Sequence, residues 1–242
     1  MSPLPQIILG IPGPWADRSE ITTAIVRHSG GYLFAGMVLM HVETKAMCRV
    51  DVAGPDPRLR DAFEIAGGGR LSPQELDAIA KHRHTIYLIG DGGSFDQART
   101  MMRAANALLR CGGLAVKVES AGIAHSAERW NELTESAAPE AILDALVTYI
   151  GQPGEFSSCG MHNVGVRDAV VRAPISPVEA ADLLHTFLHY IAVETPTVHD
   201  GETFSVASDA PRYRMTREDQ TDTAPDDPFH NPYGVWRLAP AG

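Results

Sequence analysis

Apolar positions along the chain fall into short runs that alternate with amphipathic stretches, and breaker residues separate most of them. The first run, Gln6 to Ile11, is rich in β-branched residues and stops at Pro12-Gly13-Pro14, which reads as a strand closed by a turn. Asp17, with Glu20 three positions on, forms a capping-box pattern. It predicts a helix with Ile21, Ala24, Ile25 and His28 on one face, ending at Ser29-Gly30-Gly31. Tyr32 to Met40 reads as a buried strand, and the Gly-, Pro- and Asp-rich stretch from Val52 to Arg70 as a long surface connection. Ser72-Pro73-Gln74-Glu75 combines an N-cap hydroxyl, a first-turn proline and an acidic third position, so a helix starts there. Thr85 to Ile89 is a short strand. Ser94 and Gln97 repeat the capping logic for a helix whose Phe95, Ala98, Met102, Ala105 and Leu109 recur at helical spacing. That helix ends at Cys111-Gly112-Gly113, and Leu114 to Val118 follows as a strand.

In the second half, Ala145 to Ile150 and Val164 to Arg172 read as strands around a turn-rich Gly151–Gly160 segment. Ser176-Pro177-Val178-Glu179 opens a helix with Ala180, Leu184, Phe187, Leu188 and Ile191 on one stripe. Thr203 to Ala207 and Tyr213 to Thr216 form a candidate hairpin. Residues 218–231 are acidic and proline-bearing, a loose excursion, and Val235 to Leu238 reads as an edge strand. The order of elements predicts an α+β fold of mixed or antiparallel sheets with packed helices. Two ferredoxin-like halves are one arrangement that fits. The halves divide as an N-terminal α/β-type unit over 1–138 and a C-terminal ββαββ-like unit over 139–242.

Composition narrows the function classes. Forty-four per cent hydrophobic and 21% charged residues argue for a globular chain rather than a disordered one. A net charge of −10 and no run of Lys or Arg argue against a nucleic-acid partner and leave a protein partner, preferably basic, or a small molecule. Three widely spaced cysteines, Cys48, Cys111 and Cys159, support neither a zinc knuckle nor a disulfide framework, and fit reduced thiols in the cytoplasm. No apolar stretch is long enough to cross a bilayer, and no secretory signal is recognisable, so a soluble cytoplasmic protein is expected.

Four segments combine breakers with polar groups: 12–19, 119–126, 159–165 and 199–203. Were they to meet at one end of the sheets, they would build a polar pocket with Trp15, Ser126, Asn163 and Glu202 as ligand-binding candidates. Glu119 and His125 are candidates for an acid–base pair, although Ser126 also reads as the cap of a short helix running through Trp130, with His125 exposed before it. His162 and Asn163, flanked by glycines, suit either ligand contact or a hairpin turn. Cys159, close by, has no specified base and is a weak nucleophile candidate. His185 and His189 lie one helical turn apart, a spacing that can bind a metal, but without the glutamate of the metalloprotease pattern or a third ligand. Asp91-Gly92-Gly93-Ser94 matches neither nucleotide fingerprint and reads as a helix entry. No cofactor is implied.

The segments Ile-Pro-Gly-Pro-Trp-Ala-Asp-Arg-Ser at 11–19, Lys-Val-Glu-Ser-Ala-Gly-Ile-Ala-His-Ser-Ala-Glu-Arg-Trp at 117–130, Cys-Gly-Met-His-Asn-Val-Gly-Val-Arg-Asp at 159–168 and Asp-Gly-Glu-Thr at 200–203 together resemble a bacterial family labelled domain of unknown function 4261, over about residues 6–216. Valine at 164 departs from the aromatic that such relatives carry before the glycine. The resemblance implies a bacterial, intracellular α+β protein and brings no established catalytic residues. The expectation is a non-catalytic binding protein of accessory or immunity type, with a small-molecule enzyme or a His-ligated metal protein as the alternatives.

Overall fold

The structure, a computed structural model, describes residues 5–136, 138–172, 174–221 and 223–241, so residue 222 of the acidic excursion lies outside it. Among the described residues the chain builds two sheets. The first has the order β2-β3-β4-β5-β1-β6-β7, every neighbouring pair antiparallel, from β1 (Gln6–Gly13), β2 (Tyr32–Ala35), β3 (Val38–His41), β4 (Met47–Ala53), β5 (His84–Asp91), β6 (Ala115–Val118) and β7 (Ile123–Ser126). Strand alternation sets its two faces. Ile7, Leu9 and Ile11 of β1, fully buried, share one face with Leu88 and Val118 through their register.

On that face lie α1 (Arg18–His28) and α4 (Phe95–Arg110), whose alanine-rich stripe rests against β1 and β5. With them the block β4-β5-β1-β6 has the strand order and helix placement of a ferredoxin-like unit, extended by the β2–β3 hairpin and by β7. The helices α2 (Leu59–Gly67) and α3 (Pro73–Ala80) cover the opposite face near β6 and β7, around Phe63, Ile79, Ala115 and Ala124. Next come α5 (Ala127–Ser136), whose Trp130 Nε1 donates to the Met102 carbonyl of α4 at 3.2 Å, and α6 (Pro139–Leu146).

The second sheet runs β11-β12-β13-β10-β9-β8, from β8 (Thr148–Gln152), β9 (Glu155–Cys159), β10 (Asp168–Val171), β11 (Thr203–Phe204), β12 (Tyr213–Glu218) and β13 (Val235–Pro240). Only β10 and β13 pair in parallel among the described strands. This half is therefore a βββαβββ unit rather than a ββαββ or ferredoxin-like one. Helix α7 (Pro177–His189) opens on the expected capping box and buries Leu183, Leu184, Phe187 and Leu188. One continuous apolar core, from Ile7 to Leu238, joins both sheets.

The departures from the sequence reading have local causes. Tyr32–Met40 is a hairpin, because Gly36 takes a φ of 62° between β2 and β3. The stretch 52–70, too rich in breakers to suggest a helix, closes α2 with the left-handed Gly68. Ala145–Ile150 splits into the end of α6 and β8, and Val164–Arg172 into a 3-10 turn (Met161–Val164) and β10. The strand after the acidic excursion is not an edge: β13 inserts between β12 and β10. No helix among the described residues is long and apolar enough to cross a membrane.

Candidate functional site

Three glycine-bearing turns converge where the first sheet meets the second. At the Gln6 end of β1, Gly92 N–H donates to the Pro5 carbonyl at 2.7 Å and Gly93 N–H to the Asn163 carbonyl at 3.0 Å, so the 91–94 turn docks on the 3-10 turn. Ser94 then caps α4 by accepting from Gln97 N–H. The Gly92 and Gly93 N–H donors of this turn are thus committed to structure. From the β6–β7 turn, the Ser120 hydroxyl donates to Asn163 Oδ1 at 3.1 Å, and the Asn163 amide donates to the Leu146 carbonyl at 3.1 Å. Both arms of Asn163 are occupied, and its role is to lock the turns together.

The segment after β12 arches over this junction. Its loop 225–232 and the start of β1 enclose a cleft of about 660 Å³ walled by Pro5, Ile8, Pro225, Pro228 and Pro232. The His162 ring lines the cleft. It is 1% exposed, and neither ring nitrogen has a hydrogen-bond partner among the described residues. Burial, and to a smaller degree the nearby His230, pushes the His162 pKa down to about 4, so the ring is neutral near pH 7. His230, also on the wall, has an unpartnered buried Nδ1. Gln6 and the exposed Asp226 and Asp227 complete the polar lining.

The loop is pinned through Asp168. This carboxylate opens β10, is 3% exposed, and accepts from the Ser158 hydroxyl at 2.7 Å, the Asn231 amide at 2.7 Å and Met161 N–H at 3.3 Å. The Asn231 amide also donates to the Val166 carbonyl at 3.0 Å. Burial pushes the Asp168 pKa up to about 6 against the pull of these donors. On the far side of the loop a second hollow of about 650 Å³ lies among Thr148, Ser157, Asp168, Gln220 and Phe229.

These groups set a pH dependence. His125 and His162 have folded values of about 4 against an ordinary 6.5, so their neutral burial stabilises the fold above pH 6.5 and that contribution is lost as the pH falls toward 4. Asp168, raised from 3.8 to about 6, works the other way and stabilises increasingly below pH 6. Linkage over the three groups gives a net loss of about 2 kcal/mol from pH 7 to pH 5. Urea titrations at the two pH values should show it, and His162→Gln should remove most of the difference.

The other sequence candidates fall elsewhere. Glu119 and His125 are not brought together: Glu119 pairs with Lys117 on the Gly10–Tyr87 face of the first sheet, whereas His125 shares the opposite face with Val116. His125 is buried rather than exposed, its Nε2 3.0 Å from the Ala145 carbonyl and its ring against Trp130. Ser126 caps α5 through Arg129 N–H at 3.1 Å. Trp15 lies at the Gly13 end of β1, 2% exposed, its indole donating to the Cys111 carbonyl at 2.8 Å. Glu202 accepts from His199 N–H and closes its own exposed turn beside β12. His189 contacts Glu140 at 2.9 Å, and His185 stands near the Tyr149 ring. Among the described residues no group of three His, Cys, Asp or Glu side chains is disposed to hold a metal ion. The three cysteines are buried and unpaired, and burial pushes Cys159 up to about 12, so its thiol stays protonated.

Ser120, Asp168, His230 and Asn231 were not anticipated. An aspartate opening the apolar run Ala169-Val170-Val171 was a visible signal, since a carboxylate in a buried strand must find donors. Its partner 63 positions away was not.

Fold and site define an α+β protein of two mostly antiparallel sheets with a proline-walled cleft at their junction. Residues 157–239 match the family described as a domain of unknown function, DUF4261. The likeness seen in the motifs holds over this segment, from β9 to β13, which includes Asp168, His162, the arching loop and the 200–203 motif; the motifs at 11–19 and 117–130 lie outside it. No curated protein and no solved structure matches the chain.

Proposed function

We propose that this is a non-catalytic binding protein of the cytoplasm, and that its site is the cleft beneath loop 225–232. The observation that carries the reading is the His162 ring, buried in the cleft wall with both nitrogens unpartnered. A buried polar group without a partner is destabilising by about 1–3 kcal/mol, and a ligand or an ordered water that reaches it recovers that loss. A ring with a pKa of about 4 is a weak base near pH 7, better suited to holding a hydrogen bond than to taking a proton. The cleft is largely apolar with a few polar groups, as small-ligand sites are, and its volume lies in their usual range. The unpaired cysteines fit a reducing compartment, and the net charge of −10 favours a basic partner in an accessory role.

A panel of small amines, acids, alcohols, esters, amides and phosphates tests this, with the His162 ring resonances reporting binding and product analysis reporting turnover. The expected result is that some members shift the ring and emerge unchanged, and that in His162→Phe, still folded, the same members no longer shift the His230 ring on the same wall. Turnover that disappears with His162→Phe, or a ring that no member perturbs, would overturn the reading.

A further inference from the structure

We infer that the cleft takes a primary ammonium group carried on an apolar chain, as in an alkylamine or a lysine side chain. The inference rests on the cleft being the binding site and specifies what it binds. Electrostatics point to a cation: Asp226 and Asp227 stand on the lining, and among the described residues no lysine or arginine does. An anion would meet two carboxylates and no compensating positive charge. The hydrogen-bonding pattern points to an ammonium in particular. Its three N–H donors need acceptors, and besides the carboxylates the wall holds the one unprotonated, unpartnered nitrogen of the neutral His162 ring. Proline rings and Ile8 supply the apolar surface for the chain behind the charged head, as aliphatic stems of lysine are commonly packed.

The loop is built to hold this lining. Asp227 N–H donates to the Ala224 carbonyl at 2.9 Å, Phe229 N–H to Asp227 Oδ1 at 2.8 Å, and Asn231 N–H to Gln220 Oε1 at 2.6 Å. The carboxylates are therefore presented by a braced turn that Asn231 fastens to Asp168.

The test compares n-butylammonium, butyrate and n-butanol, titrated into the full chain with the His162 and His230 ring resonances observed. Butylammonium should shift both rings and bind roughly tenfold more tightly than the other two, with affinity falling as salt is added. Asp226→Asn combined with Asp227→Asn should weaken it roughly tenfold, the asparagine at 227 keeping the turn's acceptor. Butyrate or butanol binding as well as the amine, or silence from all three, would overturn the inference, and only silence from the whole panel of the preceding test would overturn the cleft reading as well. Two sources share this chemistry. A lysine-containing peptide binding more tightly than the free amine would assign the group to a protein partner, and the reverse order to a small molecule; either order supports the ammonium.

Discussion

Replacing Asp168 with alanine should destabilise the protein by about 3–5 kcal/mol, because three buried donors lose their acceptor at about 1–3 kcal/mol each and the losses are not fully additive. Alanine would leave the Ser158 hydroxyl, the Asn231 amide and Met161 N–H, all on buried residues, without the acceptor they share. The effect should reach beyond stability. Asn231 ties the loop over the cleft to β10, so its release should open the loop 225–232 to proteases well before the rest of the chain unfolds. Asn231→Ala should reproduce the proteolytic opening at a smaller loss of stability, since it leaves Asp168 two of its donors. The Asp168–Asn231 double-mutant cycle should give a coupling of about 1–3 kcal/mol. Additive single-mutant effects, with loop cleavage unchanged, would show that the two residues do not act as one pin.

That pin was beyond the reach of the sequence, and the reason is physical. Helices α3, α4 and α7 were readable because their start signals are local: Ser72 with Glu75, Ser94 with Gln97 and Ser176 with Glu179 each act within one turn. Strands β7 and β9 were not, because Ile-Ala-His-Ser and Glu-Phe-Ser-Ser-Cys carry too few apolar positions, and their pairing partners are what make them strands. Of the four breaker segments singled out, 119–126 and 159–165 do meet, through Ser120 and Asn163. The segment 12–19 sits at the opposite end of β1, and 199–203 runs beside β12. The 91–94 turn, read as an ordinary helix entry, is that, and is also the third member of the junction through Gly93. His162 was visible as a candidate. Its burial and its missing partners belong to the packing of α6, β1 and the arching loop, which no local pattern records.

The glycines of the junction give the sharpest mutational contrast. Gly160→Ala should destabilise by more than about 4 kcal/mol, or leave the chain unfolded, because two mechanisms add there. The first is conformational: φ at Gly160 is 118°, a region a residue with a Cβ enters at roughly 1–3 kcal/mol. The second is steric, as an added Cβ would overlap the Leu146 carbonyl oxygen and come within 2.8 Å of Ala121 Cβ. The oxygen belongs to backbone that cannot swing aside, since the same carbonyl receives the Asn163 amide. Gly154 separates the two mechanisms. Its φ of 81° is also positive, but nothing lies within 4 Å of the added atom, so Gly154→Ala should show the conformational part alone, about 1 kcal/mol. Urea denaturation of the two variants measures the difference directly. Equal losses would mean that the 3-10 turn is free to move away from α6, and a cleft wall able to move in that way could not hold the His162 ring in a fixed place.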